Sequence, residues 1–180
     1  MLSKYIEWVI NQPSFYFKTI CLAVITSILM MVIHSTLAGA NLIGLQLSFS
    51  LENFHTQYGL FNAEQIYGFK QHFWLDMIYP LFYGLLFSFL FALLIKLDQS
   101  RFKQRWMILL GPVAALCDLI ESLAIIPFLN SMLAISESAV LVMSIAAAVK
   151  WLLILLMVVR LTIWGGKSIF LLFSNPHQSR

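Results

Sequence analysis

Asp118 and Glu121 stand three residues apart inside a long apolar stretch, and on a helix that spacing puts both carboxylates on one face. Lys150 lies near the middle of the next apolar stretch. Placing an ionisable side chain at the centre of a bilayer costs roughly 2.5–3.5 kcal/mol, so such groups are expected to be paired, functional or both. At about 1.5 Å of rise per residue, Asp118 and Lys150 fall at nearly the same depth, with Glu121 roughly 5 Å farther along its helix. Two chemistries suit this trio. Either two close carboxylates share a proton, and one acts as acid or relay while Lys150 tunes which, or the three groups form an ion cluster that knits two helices together.

Asp76 and Tyr83, seven residues apart, are expected on one face of the preceding helix, with Tyr83 about 10 Å deeper. His72 sits one turn before Asp76, and His34 lies toward the end of the first apolar stretch. Together these side chains predict a polar column whose floor is Asp118, Glu121 and Lys150. The His72-x-x-x-Asp76 spacing would suit a metal ligand pair, and His34 with His72 could flank a haem, but neither spacing is specific. No metal or cofactor is expected. Cys21 and Cys117 fall in different apolar stretches at different depths and read as packing residues. No nucleophile motif such as Gly-x-Ser-x-Gly is present.

The elements that must position these groups are helices in a membrane. Of the 180 residues, 61% are hydrophobic and 11% charged, a balance beyond what a soluble core of this size hides from water. Four stretches, 17–37, 73–97, 106–129 and 138–164, each reach the about 20 residues that a hydrocarbon core requires. Their continuity indicates helices rather than barrel strands. The expected fold is all-α: a polytopic four-helix bundle forming a single membrane domain.

Residues 1–16 carry apolar positions near helical spacing and end at Asn11-Gln12-Pro13, which predicts an N-terminal interfacial helix. Residues 38–72 form the one long loop. Within it Leu45, Leu47, Phe49 and Leu51 alternate with polar residues, as an extended or surface-lying segment would. Asn62-Ala63-Glu64-Gln65 has the form of a helix cap, so a short helix, broken near Gly68, is expected to lead into the second span. Residues 165–180, after Gly165-Gly166, read as a tail.

Nine of the 11 basic residues fall on one side of such a bundle: Lys4, Lys18, Lys96, Arg101, Lys103, Arg105, Arg160, Lys167 and Arg180. The positive-inside rule then places both termini in the cytoplasm. These charges hug helix ends and give no reason to expect nucleic acid as a partner. Ala38-Gly39-Ala40 offers small residues at a cleavage-like spacing, so the first span could be a signal peptide. The 19 residues before Ile20 are a long leader for that role, and a retained span is the expectation.

Two motifs, Asp76-Met-Ile-Tyr-Pro80-Leu-Phe-Tyr83 and Cys117-Asp118-Leu-Ile-Glu121-Ser122, together with Lys150-Trp151, resemble those of an uncharacterised family of small four-helix bacterial membrane proteins. The resemblance covers roughly residues 62–160 and implies a fold, a set of positions and a bacterial inner membrane, but no reaction. The architecture is also similar to the sterol isomerase-like membrane domain, without matching motifs, so that likeness carries no chemistry. Three classes of function follow. The first is a structural or accessory protein, surrounded by membrane lipids and joined to another membrane protein. A lipid- or small-molecule-binding protein, or an enzyme using the carboxylates for proton transfer, is the second. A proton-coupled transporter is the third, weakened by the lack of repeats.

Overall fold

The computed structural model describes residues 2–36, 41–129 and 134–174, with the backbone alone at 36, 71–74, 99 and 168–174. Every element among them is helical: α1 (Leu2–Ile10), α2 (Phe15–Thr36), α3 (Leu42–Gln46), α4 (Leu51–Gly59), α5 (Ala63–Asp76), α6 (Tyr79–Leu97), a 3₁₀ segment (Gln99–Leu109), α7 (Leu110–Leu129) and α8 (Glu137–Ser174). Four segments among the described residues are long and apolar enough to cross a membrane: Phe15–Ser35, Tyr79–Leu97, Ser100–Leu129 and Glu137–Lys167. The protein is an all-α polytopic bundle.

Local chemistry sets the boundaries. The alternating segment at Leu45–Leu51 is not extended, because two caps divide it into helices. Asn41 Oδ1 accepts from the Gly44 N–H at 3.0 Å to start α3, and Ser50 Oγ accepts from the Asn53 N–H at 3.2 Å to start α4. At α5 the expected capping box is present, with Gln65 N–H donating to Asn62 Oδ1 at 2.8 Å and Asn62 N–H donating to Gln65 Oε1 at 2.9 Å.

Helix α5 runs through Gly68 and ends at Asp76 rather than merging with the second span. The chain turns at Met77-Ile78, and α6 starts with Pro80 in its first turn, where a missing N–H leaves no hydrogen bond unmade. The second span therefore begins at Tyr79, not Phe73. The third is preceded by a 3₁₀ segment and has its α-helical part from Leu110. The fourth passes through Gly165 and Gly166, where a Cβ would meet nothing, and continues to Ser174. Ala38-Gly39-Ala40 and the chain beyond Ser174 lie outside the described residues.

The closest helix pairing joins α6, α7 and α8, with α2 packed on α6 and α5 and with α1 laid across α6 and the 3₁₀ segment. Small residues let α6 and α7 approach. A Cβ on Gly111 would collide with the Gly84 carbonyl oxygen, and one on Gly84 would stand 2.9 Å from Ala115 Cβ. Near the α1 end, Ser88 Oγ donates to the Ile108 carbonyl at 2.7 Å and accepts from Tyr5 at 3.1 Å, which ties α6 to both neighbours.

Buried apolar residues form two clusters. One, at the end that carries α1 and the 3₁₀ segment, includes Val9, Phe15, Phe91, Ile108 and Trp164. The other, at the end that carries α3 to α5, includes Leu45, Phe54, Phe69, Val140 and Met143. Along α7, Ala114 and Ala115 belong to the first and Ile125 and Leu129 to the second. Between them, in sequence and in space, lie the buried Asp118, Glu121, Ser122 and Lys150.

Candidate functional site

The polar layer is built by three neighbouring helices. Lys150 on α8 reaches across to α7, where its Nζ donates to Asp118 Oδ1 at 2.8 Å and to Glu121 Oε2 at 2.6 Å. From α6, Tyr83 donates to the other Asp118 oxygen, Oδ2, at 3.0 Å. All four side chains are buried, at 3–5% exposure. The i,i+3 spacing aims both carboxylates at one ammonium, and each charged group has an opposite charge within hydrogen-bonding distance.

A fifth residue completes the layer. Gln46 at the end of α3 accepts from Trp151 Nε1 at 3.1 Å, and it lines the same small chamber as Glu121. Its carbonyl thus serves Trp151, and its NH₂ group is the one able to donate to a carboxylate. The short helix α3 is thereby folded down onto α8. Sequence reading missed Gln46 because it assigned the segment to a surface or extended stretch. The Asn41 cap was the available signal, since it starts a helix whose end is Gln46.

A cavity of about 550 Å³ reaches this layer. Asp118, Lys150, Tyr83 and Asp76 contribute to its wall, together with Gln46 and Tyr79. Apolar side chains from three spans complete it: Met30 and Ile33 on α2, Leu86 and Phe87 on α6, and Ile154 on α8. A second, water-sized chamber of about 30 Å³ lies beside it, lined by Asp76, Glu121, Gln46 and Ser122 among others. Asp76, Gln46 and Leu42 line both chambers.

The expected polar column is therefore assembled by a different route from the one its spacing implied. Asp76 ends α5 and Tyr83 lies in α6, beyond a turn, so they do not share one helix face, yet both line the larger cavity. His34 is exposed and lies at the rim of that cavity, away from the ion cluster. The His72 side chain lies outside the described residues. Among the described residues, no three His, Cys, Asp or Glu side chains converge as a metal site. Cys21 and Cys117 are both free thiols.

The chain matches no protein-family model, no curated protein and no solved structure.

Proposed function

We propose that this protein is a multi-pass membrane protein that holds a small amphiphile in the cavity between α2, α6 and α8, with its polar end at the Asp118–Lys150 layer. The observation that carries the reading is the coincidence of the two features: the ion cluster forms part of the wall of a cavity of about 550 Å³. Sites for small molecules usually measure about 300–1,000 Å³ and combine apolar walls with a few convergent polar groups. Exposed rim residues Met30, Ile43 and Trp151 give the cavity a mouth between α2 and α8. The exposed apolar side chains of α2 and α8, among them Ile28, Met31, Leu152 and Leu155, give a bilayer molecule an apolar approach to it. The distribution of basic residues supports cytoplasmic termini, and the resemblance of the Asp76–Tyr83 and Cys117–Ser122 motifs supports a bacterial inner membrane.

The reading is tested by purifying the protein in a mild detergent and extracting what copurifies for mass spectrometry. Wild type is expected to retain a defined amphiphile in stoichiometric amount, and Ile154→Trp, which fills the cavity, is expected to lose it while remaining monodisperse. No retained species in the wild type, or equal retention in both, would exclude the reading.

A second reading is favoured by the closure of the cluster itself. Lys150 is satisfied by its two carboxylates without any ligand. On that reading the layer is a structural clamp in an accessory protein that joins another membrane subunit. Isolation of a stoichiometric membrane partner, with no bound amphiphile, would favour it.

A further inference from the structure

We infer that the head group taken by this cavity is a protonated amine, received by the carboxylates of the polar layer on one side and by Thr26 of α2 on the other. The inference rests on the amphiphile-binding reading above and adds the chemistry of the ligand.

Charge gives the first reason. Two carboxylates, Asp118 and Asp76, and one ammonium, Lys150, line the cavity, and Lys150 is paired with Asp118 and with Glu121, which lines the smaller chamber. Two N–H groups of that ammonium are already committed, at 2.8 and 2.6 Å, to Asp118 and Glu121. The wall thus carries two carboxylates against one ammonium whose charge is already shared with Glu121. A carboxylate or phosphate head would approach an excess of like charge in a medium of low dielectric constant, where repulsion is screened little. An ammonium brings a second positive charge and three donors to a wall in which carboxylates outnumber cations.

Thr26 gives the second, independent reason. Hydroxyls in membrane helices ordinarily return their proton to a carbonyl of the preceding turn, as Thr19 does to Phe15 at 2.9 Å and Thr162 to Val158 at 2.9 Å. Thr26 does not. It is 9% exposed, its Oγ1 has no hydrogen-bond partner, and it forms part of the cavity wall. A buried hydroxyl without a partner is costly, and the cavity is a space from which a partner can reach Thr26. Aromatic faces favour the same occupant. Tyr79, Phe87 and Trp151 also line the cavity, and such rings attract cations.

The experiment compares three probes of equal chain length, decylamine, decanol and decanoate, each below its micellar concentration at pH 7. They are added to the full chain in a neutral maltoside detergent. Binding is read by native mass spectrometry and by the shift in melting temperature. Decylamine, protonated at this pH because alkyl amines titrate near the lysine value of about 10.4, is expected to form a one-to-one complex and raise the melting temperature. Decanol should bind at least roughly tenfold more weakly, and decanoate not measurably.

Thr26→Val keeps the side-chain shape and removes the hydroxyl. It should weaken decylamine binding roughly three- to tenfold, while the unliganded melting temperature reports whether the variant is folded. Decanol or decanoate binding as tightly as decylamine would overturn the inference and leave the cavity reading standing, as would unchanged decylamine affinity in Thr26→Val. Failure of all three probes to bind would overturn both. If Thr26→Val does not fold, the conservative Thr26→Ser, which retains the hydroxyl, must keep the affinity for decylamine or the assignment of Thr26 falls.

Discussion

Lys150 shows how one side chain can govern a membrane protein's interior. Its ammonium is held by two carboxylates of the neighbouring helix, and removing it leaves both without a counter-charge in a buried site. Loss of one partner of a buried ion pair typically costs about 3–5 kcal/mol. Lys150→Met is therefore expected to lower the melting temperature in detergent strongly, and Asp118→Asn made with it should restore part of the loss. Wild-type stability in the single variant would rule out a clamp role for the cluster. Tyr83→Phe deletes one hydrogen bond to a charged group, worth about 1.5–3 kcal/mol, and is expected to destabilise by less than Lys150→Met in the same melt.

At this scale the sequence was informative where pairing follows from spacing and depth. The i,i+3 interval of Asp118 and Glu121 and the matching depth of Lys150 were sufficient to bring those three together. Asp76 required more. It reaches the cavity only because α5 stops and the chain turns before α6, a tertiary event that the seven-residue interval to Tyr83 does not encode.

Among elements, the approach of α6 and α7 is the most sensitive contact. Gly111→Ala would push a methyl group against the Gly84 carbonyl, and overpacking of this kind costs about 1–3 kcal/mol. Gly165→Ala, on the open part of α8, is the control. It meets no neighbour and should be neutral or stabilising by about 0.5–1 kcal/mol through helix propensity. Comparing the two variants in one thermal melt separates packing from propensity, and equal effects would count against close packing at Gly111.

The start of the 3₁₀ segment has its own pH dependence. Ser100 donates to Asp98 Oδ1 from its hydroxyl at 2.6 Å, and Arg101 lies 2.9 Å from the other oxygen. The hydrogen bonds from Ser100, with Arg101 adding its charge, hold the Asp98 carboxyl below the usual carboxylate range. A lowered pKa stabilises the fold above the ordinary carboxylate value, and that contribution is lost as pH falls through the lowered one. Asp98→Asn should thus melt below wild type at pH 7, with the gap closing once the pH is under about 4. A gap independent of pH would contradict this.

Helix boundaries were legible from caps more than from hydropathy. Asn62 announced α5, whereas the apolar alternation of Leu45 to Leu51 suggested an extended or surface-lying segment and hid two short helices. Alternation over so few residues is compatible with two helix ends separated by a turn. Asn41 and Ser50 were the residues that distinguished the cases.

For the whole molecule, apolar length and continuity were enough to read an all-α polytopic bundle, because lipid leaves the backbone few alternatives. Which spans touch was less legible, since lipid-facing and helix-facing surfaces are both apolar. Thus α2, with Ile20, Ile28 and Met31 exposed, leans on α6 and α5 and leaves room beside α8. Nothing in the hydropathy of α2 signalled that gap. Its sequence-level trace is Thr26, a buried hydroxyl in the middle of α2 that lines the cavity.

The placement of Lys150 also bears on how the chain enters the bilayer during synthesis. Helix α7 emerges first and carries Asp118 and Glu121 with their cation still unmade, and α8 follows with the ammonium that matches them. Each of these three groups opposes transfer into lipid by roughly 2.5–3.5 kcal/mol when alone. Inserted as a pair, α7 and α8 neutralise most of that opposition within a single event. Entry of α7 and α8 as one hairpin is therefore the less opposed route into lipid.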